Sequence, residues 1–98
     1  MIRHICMFKL KEENKNANLQ EALVRVQSLK EIEQIRRFEV VCNAEDMPES
    51  NYDLALIFDF ENAAQLQTYQ DHPLHKAFGS FITAIRENRA CIDYEFAL

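Results

Sequence analysis

Breakers, basic clusters and long apolar runs are all scarce in this chain, and each scarcity narrows what it can be. One glycine, Gly79, and two prolines, Pro48 and Pro73, stand among 98 residues. There is no linker, no internal repeat and no low-complexity segment, so the chain reads as one domain over 1–98. Eleven basic residues face 16 acidic ones, for a net charge of −5, and no basic cluster stands out. Nucleic acid and anionic membrane surfaces are therefore poor partners. No apolar run approaches the ~20 residues of a membrane span. The opening Met1-Ile2-Arg3-His4-Ile5-Cys6 lacks a signal peptide's apolar block and cleavage site. Three cysteines, Cys6, Cys42 and Cys91, are an odd number at no metal-like spacing. The expectation is a cytoplasmic protein with reduced thiols.

Apolar residues, by contrast, are plentiful: 48% of the chain, with seven Phe. A monomer this small buries only somewhat more than ~60% of its chain surface, so a second copy is expected to cover the remainder. Ile2 to Leu10 alternates with both rows largely apolar, the pattern of a strand covered on both faces. Leu19, Ala22, Leu23, Val26 and Leu29 recur at helical spacing, predicting a helix to about Ile35 capped by Asn16 or Asn18. Strands are expected over Phe38–Cys42, Tyr52–Phe60 and Ala90–Phe96. Between the last two, a helix from Asn62 to Gln70 breaks before Pro73, and another runs to about Glu87. The order β-α-β-β-α-β is the ferredoxin-like, split βαβ plan of an α+β protein.

The break between those helices carries the candidate chemistry. Tyr69, His72 and His75 recur three apart, so one helix face could aim all three polar tips at one place. His4, the third histidine, lies on the strand row His4-Cys6-Phe8, which this plan turns toward the helix break. A histidine can act as base near neutral pH, and a tyrosine hydroxyl can hold a developing oxyanion. Structural roles compete: His72 as the junction of two helices, His75 as a helix residue bonded to a carbonyl, Tyr69 as a buried ring, His4 as a satisfied core histidine. No carboxylate or cysteine stands at ligand spacing to either helix histidine, so no metal site is expected. Asp93 and Glu95 read as solvated. Gly79 falls inside a helical pattern at a cost of ~1 kcal/mol; close packing against the sheet is the first explanation and approach by a ligand the second.

Four ordered segments, Met1–Ile5, Tyr52–Leu56, Tyr69–His75 and Arg89–Tyr94, make the chain resemble the stress-responsive α/β-barrel (Dabb) family over its whole length. The resemblance implies a ferredoxin-like fold pairing into a dimeric α/β barrel. The best-understood relative, the plant polyketide cyclase that forms olivetolic acid, works without metal or organic cofactor. Carried over residue by residue, its catalytic pair falls on Tyr69 and His75. Its other pocket positions fall on His4, Cys6, Phe8, Leu56, His72, Phe78, Gly79 and Cys91. Ala22 and Val26 replace aromatics there, so the substrate does not carry over. Two function classes follow. One is a homodimeric binding protein without chemistry. The other is a cofactor-independent enzyme, a cyclase or monooxygenase, acting on a small apolar carbonyl compound.

Overall fold

The computed structural model describes residues 1–98. Strand β1 spans Ile2–Leu10, helix α1 Lys15–Arg25, β2 Arg37–Cys42, β3 Leu54–Phe60, helix α2 Ala63–Asp71, helix α3 Pro73–Ile85, and β4 Arg86–Glu95. The strands form one antiparallel sheet in the order β2-β3-β1-β4. This is the α+β ferredoxin-like arrangement, with three helices on one face. No helix is long and apolar enough to cross a membrane.

Period-two alternation divides the sheet cleanly. His4, Cys6, Phe8 and Leu10 of β1, with Leu54, Leu56, Phe58 and Phe60 of β3, are buried under the helices. The helices answer with Ala22 on α1, Leu66 and Tyr69 on α2, and Phe78 and Ile82 on α3. Ala22 and Val26 are fully buried in this core. The opposite face has nothing over it. Ile5, Met7 and Ile57 lie there half-buried, and Val41, Ile92 and Tyr94 are exposed. Arg3 and Asp59, paired across β1 and β3, form a two-pronged ion pair on the same face at 2.8 and 3.0 Å.

Three expected boundaries move. Helix α1 starts at Lys15 after Asn14, whose φ is 57° and whose side chain caps nothing, rather than at Asn16 or Asn18. It also ends at Arg25, where the chain tightens into a 3₁₀ turn over Val26–Glu31. Val26, Leu29, Ile32 and Ile35 recur every three residues, the 3₁₀ period rather than the α period, and the first three are buried. Finally, α3 stops at Ile85 and β4 takes over at Arg86, four residues before the expected Ala90.

Candidate functional site

Between α2, α3 and the sheet lies a cavity of about 180 Å³. From the sheet, His4, Cys6 and Phe8 of β1 and Leu56 of β3 line it; α2 contributes Tyr69 and Gln70. Helix α3 supplies His75, Phe78, Gly79, Ile82 and Thr83, and β4 closes the wall with Arg86 and Arg89. Eight of the ten residues nominated from sequence as catalytic or pocket groups, Tyr69 and His75 among them, thus gather around one space.

Tyr69 is 1% exposed. Its ring sits 4.6 Å from that of His75, 5.0 Å from Phe60 and 6.1 Å from His4, measured between centroids. No protein group bonds its hydroxyl, so the one polar tip of this buried side chain is left to the cavity. Burial pushes the phenol well above its ordinary pKa, although Arg89 pulls it back slightly. It is therefore a proton-bearing donor and not a phenolate.

His75 is oriented by backbone. Its Nδ1 donates to the carbonyl of Gln70 at 2.9 Å. That fixes the proton on Nδ1 and leaves the Nε2 lone pair free. Burial lowers its pKa, the Gln70 bond opposes this, and the nearby charges of His4 and Arg89 lower it further. At neutral pH His75 is an uncharged imidazole with an open basic nitrogen. His4, 3% exposed, is held through Nδ1 by the carboxylate of Asp93, directly opposite it on β4. Asp93 is exposed, as expected from sequence, and in addition holds the buried imidazole of His4.

Two nominated pocket residues do not reach the cavity. His72 caps α3: its Nδ1 accepts the backbone N–H of Leu74 at 3.1 Å. The residue before Pro73 cannot continue α2 as helix, so its side chain is used to satisfy an orphan N–H at the start of α3. Cys91 lies beside Cys6 across the β1–β4 ladder, with a Cα–Cα separation of 4.3 Å. This is a closely spaced, non-hydrogen-bonded pair, and the two sulfurs join as a disulfide. Cys6 keeps its place on the cavity wall while Cys91 sits behind it. The expectation of three reduced thiols fails for this pair because register, not sequence spacing, brings them together; Cys42 alone is free.

His4, Cys6 and Cys91 offer donor atoms within 4.8 Å of one another. Bonded to each other, the sulfurs are not ligands. Reduced, the two thiols and the imidazole form the kind of N/S set that soft metals take. The cluster is centred on the strand histidine and includes neither helix histidine.

Gly79 differs from the packing explanation. A Cβ placed there meets no heavy atom within 4 Å. No neighbour demands a glycine; its missing side chain is open cavity. Sequence reasoning also missed Gln70, Ile82, Thr83, Arg86 and Arg89. Ile82 was recoverable from the α3 period, being four residues after Phe78. The arginines were not, because β4 was expected to begin after them.

No protein of curated function matches the chain significantly. Solved structures do. A dimeric ferredoxin-like protein of unknown function from Bacteroides fragilis is 33% identical, with a TM-score of 0.84 over 97% of this chain and 95% of that one. A Dabb family protein from Mesorhizobium loti is 28% identical, with a TM-score of 0.81 over 98% and 96%. The hydroxynitrile lyase of Passiflora edulis shares the fold at 14% identity, with a TM-score of 0.79 over 95% and 90%. The family model of the stress responsive A/B barrel domain matches residues 2–96, and the chain belongs to that family.

Proposed function

We propose that this protein is a homodimer that binds a small, largely apolar carbonyl compound in the cavity between its helices and its sheet. The observation that carries the reading is the pairing of a neutral imidazole with a buried phenol whose hydroxyl no protein group engages, both lining the same cavity. A side chain kept for packing alone is bonded when buried. Dimerisation is supported by the open sheet face with Ile92 60% exposed and by the dimeric state of the Bacteroides fragilis neighbour. Burying that face against its own copy is the commonest symmetric solution.

The test of binding is a titration with acetophenone, a single ring carrying a carbonyl, followed by amide NMR shifts. Shifts centred on Tyr69, His75 and Gly79 are expected; no saturable shift at these residues refutes the pocket. Light scattering at micromolar concentration is expected to give a dimer, and a monomer there refutes the pairing.

A cofactor-independent enzyme is the second reading, favoured by the free Nε2 of His75. In a cyclisation of aldol type, that nitrogen would take a proton from the carbon next to a carbonyl while the Tyr69 hydroxyl held the developing oxyanion. The same chemistry predicts deuterium wash-in at the methyl group of bound acetophenone in D₂O. It should be lost in His75→Gln. Equal wash-in with the variant removes the enzyme reading and leaves the binding protein. A monooxygenase, the other enzyme class open to the family's fold, would require oxygen consumption that the same assay vessel can follow.

A further inference from the structure

The electrostatic lining of the cavity says more about its ligand than its shape does. The chain carries a net charge of −5, yet the cavity is lined by two arginines and two histidines and by no aspartate or glutamate. Neither Arg86 nor Arg89 forms a salt bridge. The nearby carboxylates are engaged elsewhere: Asp93 with His4, and Asp71 with the side chain of Gln67. The Nε of Arg86 is shut off from water and has no acceptor at all, the only buried side-chain nitrogen or oxygen in the protein left so. A buried guanidinium N–H without a partner is costly, and such a group calls for an explanation.

The placement of Arg86 depends on an irregularity in the ladder. From Ile2 to Lys9, β1 and β4 pair in strict register, down to Lys9 opposite Asn88. Regular alternation would next put Glu87 opposite Leu10, on the cavity side. The register slips there, and Leu10 faces Arg86 instead. Glu87 is exposed, and Arg86 joins Arg89 on the cavity wall. The slip exchanges a negative side chain for a positive one at the site; re-aiming a side chain is a recognised use of bulges beside functional sites.

We propose that the ligand of this cavity is an organic carboxylate, its anionic group held by Arg86 and Arg89 and its apolar body against Phe8, Leu56 and Phe78. The inference rests on the pocket reading above and adds the charge of the ligand to it. The guanidinium fork matches the two oxygens of a carboxylate. The volume sets the size: an apolar cavity of ~150 Å³ admits benzene, so about 180 Å³ suits one ring with its acid group. Tyr69 and His75 line the same cavity as the anchored carboxylate.

The experiment compares benzoate, its neutral isostere benzamide, and acetophenone on the full chain by calorimetry. Benzoate is expected to bind roughly tenfold or more tighter than benzamide, the usual scale of a charge-assisted hydrogen bond. Arg86→Gln and Arg89→Gln should each shrink that preference, and an unaltered melting temperature reports that each variant is folded. If benzamide binds as well as benzoate, or if both arginine variants keep the full preference, the carboxylate assignment is overturned. Should acetophenone bind without any benzoate preference, only this inference falls. Should none of the three bind, the pocket reading falls with it. The benzoate–benzamide comparison on the native chain decides the matter even where a variant fails to fold.

Discussion

Replacing the single glycine tests the cavity and the helix in one experiment. Gly79 lies in the middle of α3, and alanine at a helix interior is favoured over glycine by ~0.8–1.0 kcal/mol. That gain is normally forfeited when the added methyl has nowhere to go, because overpacking costs ~1–3 kcal/mol. Here the methyl meets no heavy atom within 4 Å, so nothing offsets the helix term. Gly79→Ala is therefore expected to stabilise the protein by about 1 kcal/mol, which in a domain of this size raises Tm by roughly 4–8 °C. The same methyl projects into a cavity of only about 180 Å³, so acetophenone and benzoate should bind more weakly. Stability rises and binding falls, as expected where a site keeps a locally unfavourable residue for function.

Thermal melting by circular dichroism and a calorimetric titration of the same sample read the two effects. A lowered Tm would refute the reasoning outright, because it would mean that the wall beside Gly79 is filled. A raised Tm with unaltered binding would preserve the helix argument but show that this wall does not meet the ligand.

Three other outcomes are expected. Tyr69→Phe removes a hydroxyl that no protein group bonds, so urea midpoints should move by no more than ~0.5 kcal/mol equivalent while ligand binding weakens; a loss of 1 kcal/mol or more would assign the hydroxyl a structural partner. The Cys6–Cys91 bond joins residues 85 apart in sequence, for which chain-entropy arguments give about 4–5 kcal/mol, so dithiothreitol should lower the urea midpoint clearly, and an unchanged midpoint would sink that account. His75 has a folded pKa below its unfolded value of ~6.5, so as pH falls through 6.5 the unfolded chain takes up a proton that the folded chain refuses. Its contribution to stability is present above that pH and is lost from there down to the folded pKa. Urea midpoints at pH 7.5 and 5.5 should therefore differ less in His75→Gln than in the native chain, and an equal difference would refute the assignment.

What the sequence discloses and what it conceals follow from the range of the interactions involved. Strand β1 is legible to the residue because two apolar rows at period two leave no other reading, and the break at Pro73 is legible because the ring acts on its immediate neighbour. His72 shows the limit of such local rules. The same proline that marks the helix break turns His72 into a cap, although three-residue spacing and the family resemblance both nominate it for the site. The turn after α1 is written in the chain as Val26, Leu29, Ile32, Ile35, a period of three whose first members also fit the α period. The start of β4 was not written locally at all. Arg86-Glu87-Asn88-Arg89 has neither alternation nor β-branched residues; it is extended because β1 offers it backbone partners some eighty residues away. The bonded pair Cys6 and Cys91, the Asp93 carboxylate on His4, and the slip that brings in Arg86 all depend on that one register. The helical half of the site, Tyr69 and His75, could be nominated from spacing, whereas the β4 half, which gives the cavity its charge, exists only once the two strands have paired.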